Sequence, residues 1–179
     1  MDGNYKMNIA GCERELPICS AGKDLNIAAF IMFGDVELTV KAAEEILKKC
    51  PEYDVLVTAE AKGIPLCYEM ARQSSKKYIV ARKSKKLYMR NPIHVEVKSI
   101  TTARLQDLYL SQEDYEYLNG KRVMIVDDVI STGESLTAIE MLLDKAGGNT
   151  VGKACVLAEG DAAKREDIIF LEHLPLFKK

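Results

Sequence analysis

Two adjacent carboxylates, Asp127 and Asp128, follow the apolar run Val123, Met124, Ile125 and Val126, and a short polar loop of Ser131, Thr132 and Gly133 comes soon after. Side by side, the carboxylates repel each other and would be costly to bury without partners. They suit sugar hydroxyls, as an acidic residue suits ribose in dinucleotide sites. After the loop, Leu136, Ile139, Leu142 and Leu143 recur on one helical face, and Gly147 and Gly148 supply the stop. Free N–H groups and the dipole at such a helix start favour an anion. Gly133 lets the backbone come close to a phosphate, and the hydroxyls of Ser131, Thr132 and Ser135 can donate to it. Taken singly, each piece is ordinary turn chemistry. In this order they suit a ligand that carries ribose hydroxyls beside a phosphate. Neither G-x-x-x-x-G-K-[ST] nor G-x-G-x-x-G occurs, which argues against a Walker A loop and a Rossmann site.

These groups need a scaffold. The run at 123–126 is apolar on both faces, as an interior parallel strand is, and the acidic pair is expected at its end. Upstream, a helix is expected from an N-cap at Thr39 to about Lys49, closed by Pro51. Val55, Leu56 and Val57 form a second strand; Pro65 opens a helix, and residues 78–81 form a third strand. Residues 93–100 and 104–110 alternate enough to pair, with a turn at Thr101, Thr102 and Ala103. Later strands are expected at 154–157 and 168–171. Strand and helix alternate through the middle, so the fold class is α/β with a mostly parallel twisted sheet flanked by helices. Residues 1–36 hold Gly11, Pro17, Gly22 and Gly34 without a clean helix, and read as an irregular flap with one short strand at 28–33. The core is then 37–179.

Two further loops lie where strands end, the place where ligands bind in such sheets. Glu60, Ala61, Lys62 and Gly63 put one ammonium among small residues just before a helix, which suits a diphosphate as well as an ordinary turn. Residues 82–90 carry five cations in nine positions, Arg82, Lys83, Lys85, Lys86 and Arg90. Such a run is usually solvated, and a net charge of −2 gives no global pull toward nucleic acid.

Residues 123–135 resemble the 5-phosphoribosyl-1-pyrophosphate signature of the type I phosphoribosyltransferases. The resemblance implies that Asp127 and Asp128 hold the ribose 2- and 3-hydroxyls and act as catalytic residues with Lys62, and that Ser131, Thr132, Gly133, Glu134 and Ser135 hold the 5-phosphate. Glu134 stands where the family often has a second glycine, so its side chain must turn away from the phosphate. The resemblance also implies Ala61, Lys62 and Gly63 as pyrophosphate contacts, with Arg82, Lys83 and Lys86 adding charge. Residues 89–112 become a flexible β lid over the reacting centre. The stretch around Phe33 resembles the N-terminal hood of the adenine-specific branch, where a phenylalanine stacks on the purine. On residue type alone, Phe30 and Phe33 are better explained as core than as a base platform. The lid, with Ser99, Ile100, Thr101 and Thr102 and no acid at the adenine-type position, is similar to xanthine-type relatives.

The function implied is purine salvage: adenine plus 5-phosphoribosyl-1-pyrophosphate giving AMP and pyrophosphate, with xanthine, guanine or orotate as other acceptors and a non-catalytic sensor as the rival class. Mg²⁺ is the implied cofactor, held through substrate and water with Asp127 and Asp128 as the second choice. The partners are small molecules, with neither nucleic acid nor membrane, and family analogy suggests a homodimer. Five cysteines without C-x-x-C spacing disfavour zinc and disulfides and fit a reducing cytoplasm. A length of 179 residues, 47% of them hydrophobic and 29% charged, suits one globular domain.

Overall fold

The computed structural model describes residues 3–98 and 105–179. Its centre is a five-stranded sheet built from β4 (Val55–Ala59), β5 (Lys77–Ala81), β8 (Arg122–Ile130), β9 (Asn149–Glu159) and β10 (Glu172–Leu174). The order is β10-β9-β8-β4-β5, and every pairing is parallel. All five residues of β4 are buried, as expected of a strand covered on both faces. Helices α1 (Val36–Leu47) and α2 (Ile64–Ser74) pack on one face through Ala42, Ile46, Leu66 and Met70. Helix α4 (Glu134–Ala146) covers the other face with Leu136, Ile139, Leu142 and Leu143. The short α3 (Gln112–Leu118) was not legible in the periodicity.

The N-terminal stretch is not the irregular flap expected from its turn residues. β1 (Asn4–Ile9) and β2 (Cys12–Ser20) form an antiparallel hairpin around Gly11, whose φ of +79° favours glycine, and β3 (Leu25–Ala28) continues the sheet. The last strand, β11 (Leu176–Lys178), closes that sheet against β3. Only 25–28 is strand; residues 29–33 leave the ladder, and alternating burial of Phe30 and Met32 imitates a strand there.

Helix α1 starts earlier than Thr39. Asp35 is its N-cap, accepting from the Leu38 N–H at 3.1 Å, while Arg14 grips Asp35 at 2.6 and 2.9 Å. Thr39 sits inside the first turn and donates to the Asp35 carbonyl at 2.7 Å. Residues 168–171 form no strand; a single bridge from Ile169 to Ala154 is what the apolar run yields, and pairing with β9 resumes at β10. β6 (Ile93–Lys98) and β7 (Leu105–Leu110) pair antiparallel as expected, and the turn expected at 101–103 lies outside the described residues. Among the described residues, no helix is long and apolar enough to cross a membrane.

Candidate active site

The ladder between β4 and β8 stops at Val57 and Ile125, although β8 itself runs on to Ile130 beside β9. Asp127 and Asp128 therefore stand within a strand, on a stretch that β4 has left, and not at the strand's end as the apolar run suggested. The loop after β4 folds over the exposed edge. Gly63 makes this approach sterically feasible: a methyl group there would lie 2.5 Å from Thr58 Oγ1 and 3.0 Å from Asp127 Oδ1. Its φ of −74° is ordinary, so the requirement is space and not backbone freedom. The Glu60–Ala61 peptide in this loop is cis.

Asp128 is 3% exposed, and its N–H donates to Asp127 Oδ1 at 2.9 Å. Lys62 Nζ stands 3.2 Å from Asp128 Oδ2, close enough for charge attraction. The direction is wrong for a hydrogen bond, so this buried oxygen has an ion-pair partner and no hydrogen-bond partner. Buried polar atoms rarely remain in that state, and one that does marks a place where a donor can enter. Burial first, and the neighbouring charge of Asp128 second, push the Asp127 carboxyl up to about 7 from 3.8. Asp127 retains some solvent contact, which identifies the cleft as the route to it.

Ala61, Lys62, Lys83, Asp127, Asp128 and Ser135 line one narrow cleft of about 160 Å³. A wider one, about 700 Å³, lies between the N-terminal sheet and the core. Leu25, Ile27 and Leu176 form its apolar side, and Ser131, Thr132, Glu159 and Arg165 its polar side. The loop 131–135 thus touches both. Gly133, with φ +81°, is the N-cap of α4.

The cationic run divides. Lys83 reaches the narrow cleft, whereas Arg82 and Lys86 gather on Glu60 at 3.1 and 3.9 Å, and Arg82 also donates to the Tyr88 hydroxyl at 2.7 Å. The Lys83 N–H completes that cluster at 2.9 Å, and the Glu60 carboxyl is held below its usual range. Phe30 is core, but Phe33 is 53% exposed at the turn before α1 and lines neither cleft.

Glu159 and Arg165 were missed by sequence reasoning. Glu159 ends β9, so the rule that ligands meet strand C-termini would have nominated it. Burial raises its pKa, and Lys62 opposes the shift. For Leu25 and Leu176 no local signal exists, because they meet only through the long-range pairing of β3 with β11.

Among the described residues, no group of three or more His, Cys, Asp or Glu gathers for a metal. The acidic pair supplies the hard oxygens that Mg²⁺ takes, but too few to fill its octahedron. These residues fit a Mg²⁺ carried largely by substrate oxygens and water.

Comparison with known proteins decides the family. The model of the phosphoribosyl transferase domain matches residues 32–174. The chain belongs to the phosphoribosyl transferase domain family. A hypoxanthine/guanine phosphoribosyltransferase of Methanococcus voltae is 37% identical over 114 residues, covering 63% of this chain and 56% of that protein. The chain thus matches little more than half the length of this relative. An adenine phosphoribosyltransferase of Petrotoga mobilis is 30% identical over 141 residues, 78% of each. Among solved structures, the adenine phosphoribosyltransferase of Thermoanaerobacter pseudethanolicus shares the family fold at a TM-score of 0.67 and 21% identity, covering 79% of this chain and 84% of that one.

Proposed function

We propose that this protein transfers a phosphoribosyl group from 5-phosphoribosyl-1-pyrophosphate to a purine, adenine first, releasing pyrophosphate. One observation carries the reading: Lys62 and Lys83 from the loops after β4 and β5, Asp127 and Asp128 from within β8, and Ser135 at the start of α4 line a single cleft. Family membership adds the reaction class.

In this reading Asp127 and Asp128 accept the ribose hydroxyls, and the hydrogen-bond vacancy at Asp128 Oδ2 is filled by one of them. Ser131, Thr132, Gly133, Glu134 and Ser135 hold the 5-phosphate at the start of α4. Ala61, Lys62, Gly63 and Lys83 face the diphosphate, and Arg82 and Lys86 add positive potential from their place on Glu60. Mg²⁺, when bound, neutralises diphosphate charge. Catalysis is then positioning and electrostatic stabilisation by these side chains, with no general base required of His94 or His173. The sheet of β1, β2 and β3 acts with β11 as a hood over the core, and Phe33, outside both clefts, is given no contact with the base.

Adenine is favoured because Glu159 presents an acceptor to the wide cleft, which suits an exocyclic amino group and opposes a 6-oxo oxygen. A 6-oxopurine is the second reading, supported by the closer identity to the hypoxanthine/guanine relative. The test is nucleotide formation from the sugar diphosphate with adenine, hypoxanthine, guanine, xanthine and orotate side by side. Adenine should react fastest. A 6-oxopurine in front establishes the second reading, orotate in front overturns the purine assignment, and no product from any base leaves a sensor.

A further inference from the structure

Behind the loop 131–135 lies a chain of charges that the reading above does not use. Glu140 on α4 meets Lys153 on β9 at 2.6 Å, and Lys153 meets Asp167 at 3.0 Å. Asp167 in turn holds Arg165 in a fork, Nε to Oδ1 at 2.8 Å and Nη2 to Oδ2 at 2.7 Å. Such a bidentate grip fixes the plane of a guanidinium as well as its position. The fork leaves Nη1 outside it. That nitrogen lies 2.8 Å from where a methyl group on Gly133 would stand, so the guanidinium rests against the N-cap of α4. Arg165 also lines the wide cleft together with Ser131 and Thr132. Roughly a third of its side chain stays open to that cleft.

A guanidinium set this firmly against a phosphate-sized loop has a use beyond packing. Resting on the reading of 131–135 as a phosphate cradle, we propose that Arg165 is a further binding residue, donating through Nη1 to the 5-phosphate. Asp167 acts as its positioning residue. The hydroxyls and backbone N–H groups of the loop are neutral donors; Arg165 adds a full charge, and charge-assisted bonds are about twice as strong as neutral ones. The φ of +81° at Gly133 favours glycine, and the absence of a side chain also leaves room for the guanidinium. A methyl group there would force the guanidinium to shift.

The test compares binding of ribose 5-phosphate and of pyrophosphate by calorimetry in wild type, Arg165→Gln and Asp167→Asn. Pyrophosphate serves as the control, because its contacts lie on the loop 60–63 and not on 131–135. Arg165→Gln should weaken ribose 5-phosphate by about ten- to hundredfold, the range of a lost charged hydrogen bond, and leave pyrophosphate unchanged. Asp167→Asn keeps the Arg165 guanidinium but replaces one acceptor oxygen of the fork with an NH₂ group, so a severalfold loss confined to ribose 5-phosphate is expected from the loosened grip. Equal losses for both ligands, or no loss for ribose 5-phosphate, would overturn the role. If Arg165→Gln does not fold, the Asp167→Asn pair of affinities decides by the same criterion. Wild type that binds neither ligand would instead defeat the phosphoribosyl reading itself, a distinguishable result.

Discussion

Lys62 and Asp128 face each other at 3.2 Å across the gap that opens where β4 parts from β8. One is more than half exposed and the other almost wholly buried, so the pair joins solvent to the interior. Under the proposed function, a diphosphate that takes the ammonium would free the Asp128 carboxylate for a sugar hydroxyl. Replacing Lys62 with alanine should therefore weaken pyrophosphate by about tenfold, the worth of a charged contact, and AMP by less. Calorimetry with both ligands checks this, and matched losses would place Lys62 away from the diphosphate.

Asp128 carries a buried charge that one ion pair only partly compensates. Asp128→Asn removes the charge and keeps the shape. The free protein should melt no lower than wild type, since a buried and only partly compensated charge is gone. Binding of the sugar diphosphate should fall by about 1.5–3 kcal/mol. A variant that melts lower and binds normally would make Asp128 a structural residue.

Gly63 is required for space. An alanine there meets Thr58 and the Asp127 backbone, both fixed in strands. Overpacking of this kind costs about 1–3 kcal/mol, so denaturant unfolding of Gly63→Ala should show a lower midpoint, with pyrophosphate binding lost as the loop lifts. An unchanged midpoint would mean that the loop does not press on Asp127.

Asp127 gives the site a pH signature. Its carboxyl titrates at about 7 in the fold against an ordinary 3.8, so the native state holds this proton more tightly than the unfolded chain. The stability it contributes is complete below 3.8 and is lost as pH rises to about 7. Asp127→Asn has no such loss. The advantage of the variant over wild type in urea unfolding should therefore grow across that window and level off above it. A difference that stays constant with pH would show that Asp127 is not shifted.

Much of the site was written in local sequence. The order of apolar run, acidic pair and hydroxyl-rich loop nominated Asp127, Asp128 and 131–135, and a strand-end place nominated Lys62; the fold brings Lys62, Asp127, Asp128 and Ser135 to one cleft. Glycines and prolines in the first 36 residues concealed a real sheet, because its ladder is completed by β11 from the far end of the chain. The same long-range closure concealed Leu25 and Leu176 as cleft residues. Composition shows the charge of Arg82 and Lys86 but cannot show that both gather on Glu60. Thr39 and Asp35 are both good capping residues, and only the grip of Arg14 on Asp35 shows which one the fold uses.

Diffraction from crystals soaked in ribose 5-phosphate probes the centre of this account most directly. The phosphate should lie against the loop 131–135 with the ribose hydroxyls on Asp127 and Asp128. Sugar bound elsewhere, with that loop empty, would contradict it.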